Sequence, residues 1–259
     1  MSSAASEAPT APPLPWQLTQ VPTQNKAEEL ARLAGSGGGG KLVHFIRHAQ
    51  GHHNVAGEAR YEDYELEEYE DAALSSGGTE QCFKAADTHE ELLGDVPLVV
   101  VSIMRRCMQT ATACFPALVG KEGVQWLANE DCREQTGSHP CDRRHCTTAF
   151  KTAYPHVDFS DIVSEEDPLY WKYGNDVREP KDACFERCKV FLAWLSERPE
   201  KEVIVCTHSA ILAILVSRLI PHEPFKMFKN CELRSYCLSA TVPASEGGGH
   251  EDGAVGANE

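Results

Sequence analysis

The stretch KLVHFIRHAQGHHN, residues 41–54, joins a short apolar run to a cluster of arginine, histidine and asparagine side chains. The apolar run over residues 41–46 has the length and the branched residues of a buried β-strand. Arg47 and His48 follow it directly, and two more histidines and an asparagine come within the next six positions. Histidines also cluster on protein surfaces by chance, so the rest of the chain decides whether this strand end is a functional site.

Downstream of this stretch, apolar strands alternate with amphipathic helices. The predicted strands cover residues 41–46, 97–102, 124–127 and 202–209, with a last strand or two within 225–239. The predicted helices cover residues 79–94, 105–118, 180–200 and 210–220. This rhythm predicts an α/β fold with three layers, in which a mostly parallel central sheet lies between helices on both of its faces. In the first helix, we expect Thr79 to be the N-cap and Phe83 to face the core.

The 259 residues are predicted to form one domain between two disordered ends. Residues 1–40 are rich in Ser, Ala, Pro and Gly and end in GSGGGG, so we expect a disordered leader. Residues 41–240 form the predicted domain, with an irregular insertion over about 128–176. The Gly-rich, acidic residues 241–259 form the predicted disordered tail. Residues 61–71, YEDYELEEYED, carry seven acids and are interpreted as a solvated loop.

The composition excludes several classes of function. No apolar run approaches the roughly eighteen residues that a membrane span needs, so we expect no membrane insertion. A net charge of −15 argues against nucleic acid as a partner, because phosphate backbones are bound by basic surfaces. Eleven cysteines lie mostly within apolar runs, and no secretory signal is recognised, so we expect reduced thiols and a cytoplasmic location.

Three of the predicted strands end in side chains that suit an anion. The first ends in Arg47 and His48, and the second ends in Ser102 with Arg106 a turn later. The fourth ends in a Thr-His-Ser segment that contains His208. Ligands of open parallel sheets bind beyond the carboxyl ends of the strands, so these side chains are expected to converge. Helix N-termini add positive charge there, and two guanidinium groups match the oxygens of phosphate.

Four segments carry a resemblance to the histidine phosphatase superfamily, which has the phosphoglycerate-mutase-like fold. They are RHAQGHHN at 47–54, DAALSSGGTEQ at 71–81, VSIMRRCMQTA at 101–111 and VCTHS at 205–209. The middle two are similar to the family segments Leu-Thr-x-x-Gly-x-x-Gln and Ser-Pro-Leu-x-Arg-x-x-Gln-Thr-Ala. The resemblance spans residues 41–239, although Ala49 replaces a usual glycine and Ile103 a usual proline. RHAQGHHNVAGE, CREQTGSHPCDRR and NCELRS are most similar to the plant, algal and fungal phosphoglycerate-mutase-like proteins.

This resemblance implies a role for each matching residue. His48 would be the nucleophile that takes the phosphoryl group and forms a phosphohistidine. The residues implied to bind phosphate are Arg47, Asn54, Arg106 and His208. His208 would make its contact as a cation. Arg106 is the match by its distance from Ser102, and the adjacent Arg105 is the competing choice.

Departure of the leaving group needs a proton donor. In the superfamily this is an acidic residue after the third strand, on a loop that ends in glycine. Glu134, three residues before Gly137, is the predicted donor, whereas Glu130 and Asp131 are interpreted as surface charge.

The insertion holds further polar residues whose roles stay open. Five of them have side chains that ligate zinc: Cys132, His139, Cys141, His145 and Cys146. They contain no C-x-x-C pair, so we predict neither a metal nor another cofactor. Arg143 and Arg144 either hold a second anionic group of the substrate or are loop charge. His53 is placed near the pocket by its neighbour in sequence, whereas His52 is predicted to face solvent.

The function that the resemblance implies is metal-independent hydrolysis of a phosphomonoester, either a small molecule or a phosphoprotein, through His48. A phosphoglycerate mutase is the first alternative, because it uses the same covalent step and returns the phosphate to an alcohol. Against it, AQGHHN stands where the true mutases have Gly-Glu-Ser-x-Trp-Asn. A non-catalytic module that binds a phospho-ligand is the second alternative, although no catalytic histidine or arginine is lost.

Overall fold

A six-stranded open sheet forms the centre of the structure, a computed structural model that describes residues 14–35, 40–220 and 224–241. The strands are β1 (Trp16–Val21), β2 (Lys41–Arg47), β3 (Leu98–Ser102), β4 (Gln125–Asn129), β5 (Glu202–Thr207) and β6 (Leu233–Ala240). They lie side by side in the order β1–β6–β2–β5–β3–β4. Strands β2, β5, β3 and β4 run parallel to one another, whereas β6 is antiparallel to both β1 and β2.

Helices cover both faces of this sheet. Within the described ranges they are α1 (Lys26–Gly35), α2 (His52–Ala59), α3 (Ser76–Leu93), α4 (Arg105–Cys114), α5 (Thr147–Ala153), α6 (Pro168–Tyr173), α7 (Lys181–Glu197) and α8 (Ser209–Leu219). Successive side chains of a strand point to opposite faces, so each strand contributes to two cores. Phe45 and Val205 pack with α7 and α8, whereas Ile46 and Val101 pack with α3 and α4. The predicted three-layer α/β fold is confirmed.

The helix α3 differs from its prediction at its start and in its phase. It begins at Ser76, and the hydroxyl of Ser75, rather than that of Thr79, caps it by accepting the N–H of Gly78 at 3.0 Å. Phe83 is 64% exposed, and Cys82 is buried in its place. The expectation that Phe83 faces the core is therefore wrong, because the buried face of the helix includes Cys82 and not Phe83.

The prediction of a disordered leader through residue 40 is wrong for residues 14–35. Trp16–Val21 form β1, which pairs with β6 at the sheet edge, and Lys26–Gly35 form α1. Leu18 is the buried residue of β1, and its neighbours are exposed or half-buried, so the strand has little apolar pattern. Its partner lies more than 200 positions away in sequence. The rest of the predicted leader, residues 1–13 and 36–39, and tail residues 242–259 lie outside the described residues.

Two regions predicted as irregular contain short helices. The insertion over about 128–176 holds α5, α6 and the 3₁₀ segment Pro140–Asp142. Residues 61–71 include the 3₁₀ segments Tyr61–Glu65 and Glu67–Tyr69. All eleven cysteines lie in the described ranges, and no disulfide joins them. None of the helices described is long and apolar enough to cross a membrane.

Candidate active site

A cavity of about 360 Å³ opens beyond the carboxyl ends of the parallel strands. Its walls include five of the six residues predicted to form the site: Arg47, His48, Asn54, Arg106 and Glu134. These residues are distant in sequence and meet because the parallel strands deliver their carboxyl ends to one edge of the sheet.

The imidazole of His48 is held in a single tautomer by the backbone. Its Nδ1 lies 2.7 Å from the carbonyl oxygen of Ala49. A carbonyl oxygen only accepts, so Nδ1 carries the proton and Nε2 keeps its lone pair. Burial lowers the pKa of His48 well below its ordinary 6.5, and the neighbouring charge of Arg106 lowers it further. The side chain is therefore a neutral imidazole with a free basic nitrogen.

Arg47 carries an unused donor in the same cavity. One of its terminal nitrogens, Nη1, donates to the carbonyl of Phe228 at 2.8 Å. Its Nε is buried and has no hydrogen-bond partner among the described residues. A buried N–H without a partner is costly, and a bound anion would satisfy it.

Asn54 is oriented by the turn that precedes α2. Its side-chain oxygen accepts the backbone N–H of Gly51 at 3.0 Å. This contact occupies the oxygen, so the amide nitrogen is the donor that Asn54 has left to offer a ligand of the cavity.

Arg106 is buried at the start of α4 and is fixed on three sides. Its Nη2 lies 2.9 Å from Oδ1 of Asp142, Nη1 donates to the carbonyl of Cys141, and Nε lies 3.2 Å from Nδ1 of His208. Burial by itself lowers the pKa of Arg106, but the carboxylate of Asp142 and other neighbours outweigh it and raise that pKa. Arg105 points elsewhere and contacts His145, so Arg106 is the arginine of the cavity.

The structure differs from the prediction for His208. Its ring is fully buried and does not line the cavity. Nδ1 accepts from Arg106, and Nε2 lies 2.7 Å from the hydroxyl of Ser102, so both nitrogens are occupied. Burial and the charge of Arg106 lower the pKa of His208 well below 6.5. In this structure His208 is therefore a neutral ring that contacts Arg106, and its ring centroid lies 5.1 Å from that of His48. The contact of a cationic His208 with bound phosphate stays a prediction.

The two candidate proton donors lie in different places. Glu134 lines the cavity, and its carboxylate accepts the N–H groups of Ala210 at 3.1 Å and Ile211 at 3.0 Å, at the start of α8. Glu130 instead pairs with Arg133 at 2.9 Å and Arg144 at 2.7 Å, away from the cavity. Of the two, only Glu134 faces the space next to His48.

Two charged residues of the cavity were missed by the sequence reasoning. Asp142 is buried between Arg106 and Arg178, whose Nη1 lies 2.7 Å from its Oδ2. Burial raises the pKa of Asp142, but these two arginines outweigh it and hold that pKa below the ordinary 3.8. Asp142 lies in the CREQTGSHPCDRR segment, and the resemblance of that segment to the family was the only feature of the sequence that could have indicated it. Arg178 stands in a stretch without periodicity and had none.

The arginines predicted as possible holders of a second anionic group do not line the cavity. Arg143 pairs with Glu67 and Glu70 on the acidic segment. Arg144 is buried against Glu130 and several backbone carbonyls. Both side chains are held by partners outside the cavity, and Arg178 is the third guanidinium that lines it.

The insertion brings only part of the possible zinc set together. His139 and Cys141 lie with Asp142 in a group whose ligand atoms are within 4.8 Å of one another. The other three, Cys132, His145 and Cys146, do not join this group. Asp142 is already paired with two guanidinium groups, which compete with any cation for its oxygens.

Aromatic side chains form one wall of the cavity. Tyr61 and Tyr64 belong to the acidic segment that we interpreted as a solvated loop, and both line the cavity. Tyr64 stacks on His139 with ring centroids 5.4 Å apart. His53 is buried on the same wall, whereas His52 is exposed, as predicted for both.

The charges of the cavity favour an anion. Three guanidinium groups, those of Arg47, Arg106 and Arg178, face two carboxylates, those of Glu134 and Asp142. This local excess of positive charge stands out in a chain of net charge −15. Low-dielectric walls concentrate such a field, so the site attracts anions despite the charge of the whole protein.

Comparison with known proteins identifies the family of this chain. The sequence model of the histidine phosphatase superfamily (branch 1) matches residues 43–251. The chain is 36% identical to a phosphoglycerate mutase-like protein of Arabidopsis thaliana over 231 residues, which is 76% of this chain and 84% of that protein. It is 32% identical to phosphoglycerate mutase-like protein 2 of the same plant, over 78% of this chain and 77% of that one. The chain therefore belongs to the histidine phosphatase superfamily.

A solved structure supports the fold. The ecdysone phosphate phosphatase of Bombix mori, in complex with tungstate, superposes with a TM-score of 0.54 at 16% sequence identity. The alignment covers 78% of this chain and 92% of that chain.

Proposed function

We propose that this protein hydrolyses an organic phosphomonoester through a phosphohistidine on His48, without a metal. The observation that carries the proposal is the hydrogen bond from Nδ1 of His48 to the carbonyl of Ala49. It leaves Nε2 unprotonated in a cavity that also holds Arg47 and Arg106. An unprotonated nitrogen beside two guanidinium groups has the two properties that attack on a phosphoryl group requires.

The first half of the reaction transfers the phosphoryl group to the protein. Arg47, Arg106 and the amide of Asn54 bind its oxygens and neutralise the charge that develops on them. Nε2 of His48 forms the bond to phosphorus as the bond to the ester oxygen breaks. The ring gains positive charge, which the hydrogen bond from Nδ1 to the Ala49 carbonyl stabilises.

Glu134 supplies the proton that the leaving oxygen needs. Two N–H groups at the start of α8 hold its carboxylate in the cavity, at 3.1 and 3.0 Å. After the alcohol leaves, the carboxylate is ready to take a proton from water as that water attacks phosphorus. The bond from phosphorus to Nε2 then breaks, and inorganic phosphate and free His48 remain.

A panel of phosphate esters assayed in EDTA tests this proposal. We expect release of inorganic phosphate, inhibition by vanadate and loss of turnover in His48→Ala. Activity that disappears in EDTA and returns with zinc or magnesium would contradict it. Adding an alcohol acceptor such as a phosphoglycerate distinguishes the mutase alternative, in which the phosphoryl group appears on the acceptor and not in water.

A further inference from the structure

A second cavity, of about 450 Å³, adjoins the one that holds His48. Ala210 and Met227 belong to the walls of both cavities. The volume falls within the roughly 300–1,000 Å³ that small-molecule sites occupy. Nothing in the proposed hydrolysis uses this space.

The second cavity begins where the leaving group must emerge. In an in-line displacement the leaving oxygen lies opposite the attacking nitrogen and next to the proton donor. Glu134 is that donor in the proposed function, and its carboxylate contacts the N–H of Ala210. Ala210 is one of the two residues that both cavities share, and Gln135, the next residue after Glu134, lines the second one. The alcohol part of a substrate therefore points into this cavity.

The lining combines an apolar floor with a basic end. Ala210, Ala213 and Ile214 form the floor on one face of α8, and Met227, which is 54% exposed, also lines the cavity. From Ala210 to Ser217 the helix rises about 10 Å, at about 1.5 Å per residue. An apolar floor of this length offers few hydrogen-bond partners to a peptide backbone, whereas it suits a hydrocarbon chain or ring.

Two cations line the cavity where α7 begins and α8 ends, away from Ala210 at the start of α8. Arg218 pairs with the exposed Asp182, whereas Lys181 has no ion pair among the described residues. Lys181 is exposed at the start of α7 and is free to meet an anionic group. Its charge complements a substrate that is acidic at both ends.

We infer that the second cavity binds the leaving group, and that the substrate is an elongated organic phosphomonoester with an apolar body and an acidic group at its far end. The inference rests on the proposed function, because that function determines which side the leaving group takes. It adds the substrate class, which neither the chemistry at His48 nor membership of the superfamily specifies.

Binding of phosphonates tests the inference without relying on turnover. Three probes are compared by calorimetry: ethylphosphonate, octylphosphonate and an octylphosphonate that ends in a carboxylate. Each buried methylene contributes about 0.8 kcal/mol, so two or more of them give octylphosphonate at least a tenfold lower Kd than ethylphosphonate. The carboxylate adds up to about fivefold through Lys181, in the range of an exposed ion pair.

Two variants and a matched control locate the effect. Ala213→Leu fills the floor and should bring the Kd ratio of ethylphosphonate to octylphosphonate close to one. Lys181→Glu should remove the advantage of the carboxylate and leave that ratio unchanged. Lys189→Glu, which reverses a charge on the same helix outside the cavity, should change neither ratio.

Equal Kd values for ethylphosphonate and octylphosphonate in the wild type would overturn the inference. So would a Lys189→Glu variant that behaves like Lys181→Glu. Hydrolysis of para-nitrophenyl phosphate by the same preparation is measured as well. If the inference fails but this hydrolysis occurs and depends on His48, the proposed function still stands. Tight octylphosphonate binding without hydrolysis of any ester would show that the proposed function fails, and the assignment of the cavity to a leaving group would fail with it.

Discussion

Replacing Glu134 by Gln separates its catalytic role from its structural one. The carboxylate accepts the N–H groups of both Ala210 and Ile211, at 3.1 and 3.0 Å. Glutamine keeps one oxygen, but its amide N–H₂ faces the other donor, which loses its partner. An unsatisfied N–H costs about 1–3 kcal/mol, so the free energy of unfolding should fall by an amount in that range.

The kinetic effect should depend on the leaving group. An alkoxide leaves poorly without a proton, so Glu134→Gln should slow hydrolysis of an alkyl phosphate by about a hundredfold or more. A nitrophenolate leaves well unaided, so phosphorylation of His48 by para-nitrophenyl phosphate should change little. Water attack then becomes limiting, because Gln accepts no proton. A pre-steady-state burst of nitrophenolate, measured by stopped flow, should therefore appear.

Glu130→Gln is the matched control. Glu130 is held by Arg133 and Arg144 outside the cavity, so its loss should alter stability and produce neither leaving-group dependence nor a burst. Equal losses for both ester types in Glu134→Gln, with no burst, would refute the assignment of the proton donor. The same pattern in Glu130→Gln would refute it as well.

Three further predictions test the phosphate site, the sheet edge and the buried histidines. Arg106→Lys should lower kcat/KM by about a hundredfold or more, as loss of a preorganised donor does, whereas kcat/KM of Arg105→Lys should stay near that of the wild type. Equal losses in the two variants would contradict the assignment of Arg106 to the phosphate site. Leu18→Ala should lower the free energy of unfolding, measured in urea, by about 2–5 kcal/mol, whereas Thr19→Ala on the exposed side of β1 should change it little. If Leu18→Ala loses no stability, β1 does not pack on the core. The pKa values of His48, His53 and His208 are lowered well below 6.5 by burial, and burial lowers that of His89 to about 4. These histidines take up protons at a higher pH in the unfolded chain than in the folded one. The free energy of unfolding should therefore decrease by about 1 kcal/mol per histidine as the pH is lowered from about 7.5 to about 5.5. A constant free energy of unfolding over this range would contradict the burial of these side chains.

The part of the site that lies at strand ends was predictable from sequence. A buried strand is recognised by its local apolar run, and parallel strands bring their carboxyl ends to one edge. Arg47, His48 and Arg106 could therefore be brought together without coordinates. Glu134 needed the family resemblance, with its spacing from Gly137, to choose it over Glu130, because the residues alone do not indicate which of the two side chains turns toward the cavity.

The parts that sequence did not predict depend on long-range contacts. Asp142 and Arg178 face the cavity through an irregular insertion, where no periodicity indicates which side chains turn inward. β1 is stable through pairing with β6 and burial of Leu18, and neither leaves an alternating pattern over Trp16–Val21. The burial of His208 behind Arg106 depends on contacts of its ring nitrogens with Ser102 and Arg106, residues about 100 positions away in the chain.

The central claim is that His48 carries the phosphoryl group, and rapid-quench trapping with a radiolabelled phosphomonoester tests it most directly. The account predicts label on the peptide that contains His48, stable in base and labile in acid, formed and lost fast enough to account for turnover. The label should be absent from His48→Ala and present in His52→Ala, which changes an exposed neighbour. Acid-stable label on a hydroxyl side chain, or normal turnover by His48→Ala, would contradict it.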